Sequence, residues 1–517
     1  MNRKFFMAAL LGATFSIQSF QVFASQNSSQ NTPIQMPPVQ MAGAQTALES
    51  FNETVAIIKK NYVVDLSDIQ ILNKALVGLM SELDPHSTYL NEEQYKALDI
   101  ATSGEFVGVG AEVTMTEGML QVVTPLDDSP AQKAGIKPGD YILQINKTPI
   151  QGMTLDQAMK LIRGETGTTL TLTILRKGLD KKLVLTLTRA PIKMISVKEQ
   201  LIEGHYGYIR ISSFQESTPK DLREAIDNLL NKAEGHQLRG LVLDLRNNPG
   251  GLLPVSIEVA DDFLDTCKES HPKSCIFSPE SSQFNHKDQN IIISVKGRNG
   301  ESELSGEATS GDLTGGIPIV ALINMGSASA SEIVAAALQD HHRAVIMGEK
   351  SFGKGSIQTV IPLADGKTAV KITTARFYSP SGRPIQGEGV TPDIIVPQLN
   401  FDQNNFSSDP LDLKGVNYRE MNLTGALMPE RLEAISAAQQ FQAQTQTQAI
   451  GIELASEVSG LPSPQTDYQL NSAVNLLKGL YAMDQTQNKT QNKPQNPSGS
   501  PKKSAPEGAD LKQIADQ

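Results

Sequence analysis

Three small hydroxyl side chains and one lysine form the part of this sequence best suited to chemistry. Ser327, Ser329 and Ser331 alternate with alanine just before the apolar run 333–338, and Lys354 follows between two glycines. A serine hydroxyl becomes a good nucleophile at neutral pH only beside a base, and a lysine can act as that base when burial lowers its pKa. The two motifs therefore predict a serine nucleophile paired with a lysine general base.

The residues around these motifs predict the elements that hold them. The alanine-rich run 333–340 favours a helix, so the serines lie at its N-terminus, where free backbone N–H groups can stabilise an oxyanion. Residues 355–361 favour a strand, and the alternation of side chains along a strand places Lys354 and Gln358 on one face. The glycines on both sides of Lys354 allow the backbone of another element to approach it closely.

A helix cap and a histidine base are the alternatives to this interpretation. Ser329 and Glu332 also have the spacing of a capping box, which is a structural feature of ordinary helices. His341 and His342 follow the serines and would be the bases of a Ser-His-Asp triad. A helix over 329–341 would place its ends roughly 18 Å apart, too far for direct proton transfer. The sequence therefore favours lysine over histidine as the base.

Two glycine-containing segments resemble nucleotide-binding loops but lack required residues. Residues 348–354 match the start of a P-loop, yet Gly355 stands where a hydroxyl must hold Mg²⁺, and a strand follows instead of a helix. Gly108 and Gly110 match the start of a dinucleotide loop, but Val113 occupies the position of its third glycine. The histidines show no metal-binding spacing. We therefore expect no nucleotide, metal or other cofactor.

Three motifs together resemble those of the carboxy-terminal processing peptidases, also called tail-specific proteases, of serine peptidase family S41. The motifs are Leu-Asp-Leu-Arg-Asn-Asn-Pro-Gly-Gly at 243–251, Ser-Ala-Ser-Ala-Ser-Glu-Ile at 327–333 and Gly-Lys-Gly-Ser-Ile-Gln at 353–358. The resemblance implies an α/β fold: a crotonase/Clp-protease-like peptidase core with a β-rich PDZ domain and flanking helical segments. Asp340, at the end of the predicted helix, matches an acidic position that supports catalysis in some members.

Matching the family's motifs to this sequence implies roles for individual residues. Ser329 corresponds to the nucleophile, Lys354 to the general base and Gln358 to the amide that orients the lysine. The family's spacing of nucleophile and base selects Ser329 from the three serines. The backbone N–H of Ala330, with one from the turn Gly250–Gly251, would form the oxyanion hole.

Residues 96–190 resemble a PDZ domain. The resemblance rests on Phe-Val-Gly-Val-Gly-Ala-Glu-Val at 106–113 and on the segment that begins Ser-Pro-Ala-Gln-Lys-Ala-Gly at 129–135. It implies that three consecutive backbone N–H groups bind the terminal carboxylate of a peptide added to the sheet edge. These groups belong to Val109, Gly110 and Ala111. Arg163 matches a position that regulates the protease in some members, although a solvated surface arginine is an equal alternative.

The complete chain is divided by composition, helical spacing and resemblance. The predicted order is a signal peptide (1–24), a linker (25–44), an N-terminal helical segment (45–95), the PDZ domain (96–190), the serine peptidase core (191–400), a C-terminal helical segment (425–483) and a disordered tail (484–517). Glutamine, asparagine, lysine and proline dominate the tail, and such a composition cannot bury a core. The family uses terminal helices for dimer contacts, so we expect a homo-oligomer.

The N-terminal residues predict export. Two basic residues, an apolar stretch and Val-Phe-Ala at 22–24 have the layout of a secretory signal peptide cleaved after Ala24. Polar residues interrupt the apolar stretch before it reaches the ~20 residues that a membrane anchor needs. We therefore expect a periplasmic protein, soluble or peripherally associated with the membrane. In that oxidising compartment Cys267 and Cys275 are candidates for a disulfide.

Charge and resemblance together define the expected function. The net charge of −11 and the pI near 5.3 argue against a nucleic-acid partner, because phosphate binding needs a basic surface. The expected protein is an exported serine endopeptidase that binds protein C-termini through its PDZ domain, with an adaptor protein as a further partner to test. The alternative is a catalytically silent PDZ-containing binding or scaffold protein.

Overall fold

The computed structural model describes residues 41–116, 118–126, 128–179, 181–265, 290–300, 302–309, 311–399, 419–428 and 461–491. The predicted signal peptide, the predicted disulfide of Cys267 with Cys275, and most of the predicted tail lie outside these residues. These described residues fall into two compact units, divided between Leu72 and Asn73. None of the described helices combines the length and the apolar character needed to cross a membrane.

Helices begin the described part of the chain. The first elements are α1 (Met41–Asn61), α2 (Asp68–Ser81), β1 (Thr88–Leu90) and α3 (Glu92–Ser103). Asn91 and Gln94 form a capping box at the start of α3, satisfying N–H groups that a helix leaves unpaired. Gly104 ends α3 in a left-handed conformation, with φ of 73°. The chain then turns into the region predicted as a PDZ domain.

This region consists mainly of strands. Its elements are β2 (Glu105–Gly108), β3 (Ala111–Thr116), β4 (Met119–Pro125), α4 (Pro130–Lys133), β5 (Tyr141–Ile145), β6 (Thr148–Pro149), α5 (Leu155–Ile162), β7 (Thr169–Leu175), β8 (Leu183–Thr188) and β9 (Ala190–Lys193). The main sheet has the order β3-β4-β5-β7-β8, with β6 on β5, and β2 pairs separately with β9. Alternate residues such as Leu120, Ile142 and Leu172 are buried against Ala158 and Ile162 of α5. Strand β3 lies at the edge of this sheet.

Alternating strands and helices form the rest of the larger unit. The elements are β10 (Val197–Ile202), β11 (Tyr206–Ile211), α6 (Thr218–Lys232), β12 (Gly240–Asp244), α7 (Leu253–Asp261), β13 (Ile291–Lys296), β14 (Ser302–Glu307), β15 (Ile319–Ile323), α8 (Ala330–Asp340), β16 (Val345–Gly348), β17 (Ser356–Pro362), β18 (Ala369–Tyr378), β19 (Ile394–Ile395) and α9 (Tyr468–Gln491). Short 3-10 helices cover Glu234–His236, Arg298–Gly300 and Glu420–Asn422.

Two sheets organise this region. The first has the order β10-β11-β12-β15-β16-β19, and each neighbouring pair from β11 onward is parallel. The predicted α/β fold with a mostly parallel sheet is therefore confirmed. The second sheet joins β1, β18, β13 and β14, with β17 on β18, and its pairs are antiparallel. Local sequence patterns did not reveal it, because its strands come from distant parts of the chain.

The parallel sheet is covered on both faces, which explains why β12 and β15 are buried along their whole length. Leu241 and Leu243 face the core shared with α6, α7 and α8. Val242 and Val320 face the opposite way, toward Leu470 and other apolar residues of α9. The alternation of side chains along each strand thus provides two cores from one sheet.

Helix α9 extends further than the sequence predicted. The C-terminal helical segment was predicted to end at 483, before a disordered tail, but α9 continues to Gln491. Extending an existing helix costs far less than starting one, so polar residues can prolong it. Its Leu470 and Leu477 are buried against the sheet of the same chain. This apolar face packs within the chain, and the dimer contact that the family resemblance implied stays a prediction.

Candidate active site

Ser329 lies at the sharp turn between β15 and α8. Its backbone has φ of 55° and ψ of −113°, a conformation that a non-glycine residue adopts only when its surroundings enforce it. The residue is half-buried, whereas Ala330–Leu338 of α8 are buried. The turn therefore presents the Ser329 side chain at the start of a helix that is fixed in the core.

The other two serines of the motif use their hydroxyls to build this turn. Ser327 Oγ donates to the Leu245 carbonyl at 2.8 Å, and Ser331 Oγ donates to the Asn248 carbonyl at 2.8 Å. Both serines are fully buried. Their hydroxyls are thus committed to the segment that follows β12, and Ser329 is the serine left for chemistry.

The turn Gly250–Gly251 lies directly against Ser329. A Cβ on Gly250, whose φ is 105°, would approach Ser329 Cβ to 2.8 Å, and one on Gly251 would approach the Phe214 carbonyl oxygen to 2.2 Å. Only glycine permits this close approach. The N–H of Gly250 donates to Asn248 Oδ1 at 2.9 Å.

This bond reduces the number of N–H groups that could form the predicted oxyanion hole. Because the Gly250 N–H is already engaged, it is a poor candidate for binding a developing oxyanion. The N–H groups of Gly251 and Ala330 donate no hydrogen bond to any described residue. Gly251 is also exposed, which leaves its N–H accessible to a ligand.

Lys354 lies in a loop that passes close to a second loop. A Cβ on Gly355 would come within 2.3 Å of the Gln386 backbone nitrogen, and one on Gly353 within 3.2 Å of the Gly387 carbonyl carbon. The two glycines thus allow another backbone to pack beside the lysine, as predicted. Lys354 Nζ donates to Gln358 Oε1 at 2.6 Å, so the predicted common face of these two side chains is present.

The surroundings of Lys354 favour its neutral form. Burial, with the positive charge of Lys371, lowers the pKa of Lys354 from 10.5 to about 8. The negative charges of Glu420, Glu332 and Asp84 act in the opposite direction. A lysine with this pKa is neutral in a substantial fraction of molecules at mildly alkaline pH, which is the form that accepts a proton.

Glu332 joins the serine turn to the lysine loop, a role that the sequence suggested only as a helix cap. Its Oε2 accepts the backbone N–H groups of Ser329 at 2.8 Å and Lys354 at 2.9 Å. Its Oε1 accepts the Gly353 N–H at 2.7 Å and the Ser351 hydroxyl at 2.5 Å. The side chain is fully buried, and burial raises its pKa to about 7. One carboxylate therefore fixes both backbones of the predicted dyad.

The dyad itself is not closed in this conformation. Between the two described side chains there is no hydrogen bond from Ser329 Oγ to Lys354 Nζ, and the lysine instead contacts Gln358 and, at 3.5 Å, the Ser356 carbonyl. Catalytic hydrogen bonds are often long or misaligned before substrate binds. The arrangement fits a resting state in which Gln358 holds the base.

A second buried network lies behind the oxyanion turn and was not predicted. Arg246 donates to both carboxylate oxygens of Asp244, at 2.9 and 2.6 Å, and to Asp467 at 2.7 Å. It also donates to Gln469 at 2.9 Å, and Tyr208 donates to Asp244 at 2.8 Å. The start of α9 is thereby fastened to the chain just before the oxyanion turn.

Other residues noted from the sequence lie apart from the dyad. Asp340 accepts from Arg383 at 2.8 Å and from the Ser381 N–H at 2.9 Å, so it anchors a loop at the far end of α8. His341 contacts the Ile291 carbonyl. Within the described ranges, no group of three His, Cys, Asp or Glu side chains is placed to hold a metal ion.

The predicted peptide-binding residues lie at the start of edge strand β3. The carbonyls of Val109 and Gly110 accept N–H groups of Ala131 and Leu126, at 2.8 and 2.9 Å, which fixes this loop. Ala111 is the first residue of β3. Arg163 is exposed and lines a groove with Glu92 and Glu93 of α3, so it does not join the dyad in this conformation.

Comparisons with known proteins agree with these features. The profile of peptidase family S41 matches residues 205–396, and that of the PDZ domain matches residues 121–176. The chain is 44% identical over 351 residues to a carboxy-terminal-processing protease of Bartonella bacilliformis, covering 68% of this chain and 75% of that protein. It is 34% identical over 370 residues to carboxy-terminal processing protease CtpA of Bacillus subtilis, covering 70% and 73% of the respective chains.

Two solved structures are also similar. A photosystem II D1 C-terminal processing protease is 29% identical, covers 67% of this chain and 86% of its own, and has a TM-score of 0.38. The PDZ domain of a carboxy-terminal protease from Vibrio cholerae, solved with a peptide, is 27% identical, covers 17% of this chain and 99% of its own, and has a TM-score of 0.17. Since these TM-scores are low, the assignment rests on the profile matches and sequence identities. The chain belongs to peptidase family S41, as a carboxy-terminal processing serine protease that carries a PDZ domain.

Proposed function

We propose that this protein is an exported endopeptidase in which Ser329 is the nucleophile, Lys354 is the general base and Gln358 orients the base. The observation that carries the proposal is the pair of contacts at the lysine. Its Nζ lies 2.6 Å from Gln358 Oε1, and its backbone is tied through Glu332 to the backbone of Ser329. The lowered pKa of about 8 then gives Lys354 the chemistry that a base requires.

The reaction begins with proton transfer from Ser329 Oγ to neutral Lys354 Nζ. The serine oxygen attacks the carbonyl carbon of the scissile peptide, and the N–H groups of Gly251 and Ala330 stabilise the oxyanion. The Lys354 ammonium returns a proton to the departing amine, which leaves an acyl group on Ser329. Water, deprotonated by Lys354, then releases the new C-terminus and restores the serine.

Substrate capture is assigned to the PDZ domain, predicted to span 96–190. A peptide can add to the free edge of β3, with its terminal carboxylate near the N–H groups of Val109, Gly110 and Ala111. The chemistry selects unstructured protein segments that end in a free carboxylate. Arg163, an adaptor protein and a second copy of the chain are candidates for regulating access to the dyad.

The remaining parts of the proposal concern location and domain plan. Export follows from the layout of residues 1–24, and the periplasm is the compartment proposed for the mature protein. The proposed peptidase core, 191–400, extends slightly beyond the matched profile at 205–396. The predicted disulfide between Cys267 and Cys275 remains part of the proposal for the oxidising compartment.

A catalytically silent binding protein remains the second candidate. The observation in its favour is that Ser329 and Lys354 share no direct hydrogen bond in this conformation. Such a protein would keep the PDZ domain and bind C-termini without cleaving them.

Cleavage of an unstructured protein with a free apolar C-terminus separates the two candidates. We expect the wild-type mature protein to generate new C-termini, identified by mass, and Ser329→Ala and Lys354→Ala to generate none. The same substrate with an amidated C-terminus is the control for PDZ capture and should be cleaved more slowly. Binding of the substrate without cleavage by wild type would favour the silent protein, and activity retained in Ser329→Ala would reject this nucleophile.

A further inference from the structure

A short segment between α2 and β1, Asp84–Ser87, is connected to the predicted base Lys354 through other side chains. Asp84 and Ser87 are buried, and Asp84 accepts the Ser87 hydroxyl at 2.5 Å together with the N–H groups of His86 and Ser87. These bonds, with one from Thr373, outweigh the effect of burial and hold the pKa of Asp84 below its usual value. The carboxylate is therefore ionised near neutral pH and acts only as a hydrogen-bond acceptor.

The first route from this segment leads to the lysine side chain. Thr373 Oγ1 donates to Asp84 Oδ1 at 3.1 Å, so its oxygen is free to accept Gln358 Nε2, also at 3.1 Å. Gln358 Nε2 also donates to Ser356 Oγ at 3.0 Å, and these two acceptors turn the Gln358 amide so that its carbonyl oxygen faces Lys354 Nζ at 2.6 Å. An ionised carboxylate cannot donate a hydrogen bond. Asp84 therefore sets the donor-to-acceptor direction of the hydrogen bonds that run through Thr373 to Gln358.

The second route leads to the lysine backbone. His86 Nε2 contacts both oxygens of Glu420, at 2.7 and 2.9 Å, and Glu420 Oε1 accepts Gln386 Nε2 at 3.0 Å. The side-chain oxygen of Gln386, Oε1, therefore faces the backbone of the lysine loop and accepts the Gly355 N–H at 2.9 Å. Glu420 and Gln386 are almost fully buried. Both routes use the same device, a carboxylate that orients a glutamine whose carbonyl receives a donor from the lysine loop.

We propose that the segment Asp84–Ser87 is a positioning element for the catalytic lysine, acting on its side chain through Thr373 and Gln358 and on its loop through Glu420 and Gln386. The inference rests on the proposed role of Lys354 as the base. Asp84 and His86 touch neither substrate nor reacting atoms, so they are positioning residues.

The segment also adjusts the charge around Lys354. The charged groups that face the lysine are Glu332 of α8, Lys371 of β18, Glu420 and Asp84. Since Asp84 is negative, it favours the ammonium form, and its removal lowers the pKa of the lysine further. A positioning role therefore predicts two separate effects of Asp84→Asn, a lower rate and a pH profile displaced toward acid.

The same segment continues into β1, which pairs with β18 through Thr88 and Lys371, Tyr89 and Val370, and Leu90 and Ala369. Thr373 lies on β18, just beyond these pairs. The positioning element and the strand that carries Thr373 are therefore held in register by backbone pairing, so a shift of one moves the other.

The test uses the full mature protein and the substrate described above, with kcat and KM measured from pH 6 to 10. The variants are Asp84→Asn, Thr373→Val, Thr373→Ser and Thr374→Val. Thr374 is the matched control, because it is the neighbour of Thr373 on β18 and bonds to Thr359 on the exposed face at 2.7 Å. Active sites are counted with a serine-directed fluorophosphonate, and unfolding by urea is followed for each variant.

We expect Thr373→Val to lower kcat per active site roughly 10- to 100-fold with little change in KM, because a small displacement of the base is sufficient for such a loss. Thr373→Ser should restore most of the rate, and Thr374→Val should match wild type. Asp84→Asn should lower kcat and move the acid limb of its pH profile to lower pH.

Unchanged kcat in Asp84→Asn and Thr373→Val, with an unchanged acid limb in Asp84→Asn, would overturn the inference. So would a loss explained entirely by fewer folded molecules, with a normal pH profile in those that remain. Failure of the proposed function is distinguishable, because it would appear as activity retained in Lys354→Ala. In that case the inference fails with the base it depends on.

Discussion

The two halves of the predicted dyad are held in different ways. The serine turn is built from contacts between neighbouring βα units of the parallel sheet, in which Ser327 and Ser331 bond to the segment just after β12. The lysine loop is instead held by buried side chains from distant parts of the chain, namely Asp84, Gln386 and Glu420, acting directly or through other residues.

This difference indicates when each half becomes competent. The serine turn requires only that the parallel sheet and α8 form. The lysine loop also requires docking of the segment after α2 and of the 3-10 helix Glu420–Asn422. Any signal that shifts those segments would therefore alter the base before it altered the nucleophile. Glu332 is the one described residue that bonds to both halves through its side chain.

The largest predicted effect comes from removing that connection. In Glu332→Gln, an NH₂ group replaces one carboxylate oxygen. Turned toward Ser329 and Lys354 it opposes two N–H donors, and turned the other way it opposes the Gly353 N–H and the Ser351 hydroxyl. We expect kcat/KM to fall about 100-fold and the free energy of unfolding to fall by about 1–3 kcal/mol. Steady-state cleavage and urea unfolding measure the two quantities.

The matched control is Glu349→Gln, in the loop that carries Lys354. Among the described residues, Glu349 accepts one hydrogen bond, from the Gln398 N–H at 3.2 Å, so its replacement should leave activity near wild type. A Glu332→Gln protein with normal kcat/KM would show that the two halves keep their spacing without the shared carboxylate.

A second prediction concerns the cost of keeping the lysine partly desolvated. Because its folded-state pKa of about 8 lies below the ordinary 10.5, its contribution to stability is present above pH 10.5 and is lost as the pH falls through 8. Lys354→Met should therefore gain stability relative to wild type when the pH is lowered from 10 to 7. Urea unfolding at both pH values measures the gain.

Lys367→Met provides the comparison for this experiment, because Lys367 is exposed and its removal reports the general effect of deleting a positive charge. If the stability difference between Lys354→Met and wild type were the same at pH 7 and pH 10, the pKa of Lys354 would not be lowered in the folded protein.

The smallest predicted effect sharpens the contrast among the three serines. Ser331→Ala leaves the buried Asn248 carbonyl without its side-chain donor and should lower the free energy of unfolding by about 1 kcal/mol. Ser329→Ala should abolish cleavage while leaving the free energy of unfolding near wild type or higher, because it removes no hydrogen bond like that of the Ser331 hydroxyl to the Asn248 carbonyl. The opposite pattern of stability changes would mean that the roles of the two hydroxyls had been exchanged.

The features that could be predicted from the sequence are those that depend on local pattern, and the features that could not are contacts between distant segments. The period of a strand was sufficient to place Lys354 and Gln358 on one face, and the alanine-rich run was sufficient to place Ser329 at a helix start. Glu332 was predicted only as a cap, because its bonds to Gly353 and Ser351 depend on folding of the lysine loop. Local patterns are short in range, whereas these contacts are tertiary.

The missed features have a common physical origin. Thr373, Gln386 and Glu420 acquire their roles only when distant segments meet, and nothing in their immediate sequence distinguishes them from ordinary polar residues. The use of the Gly250 N–H by Asn248 is similarly a detail of one turn, which a glycine pair alone does not determine. The internal packing of α9 could not be read from helical spacing, since the same apolar face would suit a dimer.

The central claim is that Lys354 activates Ser329. Its most direct test is the rate of labelling by a serine-directed fluorophosphonate from pH 6 to 10, with the modified residue located by peptide mass. We predict a single label on Ser329, a rate that rises with pH through about 8, and loss of labelling in Lys354→Ala. Labelling of another serine, or a rate on Ser329 that neither follows pH nor depends on Lys354, would contradict the account.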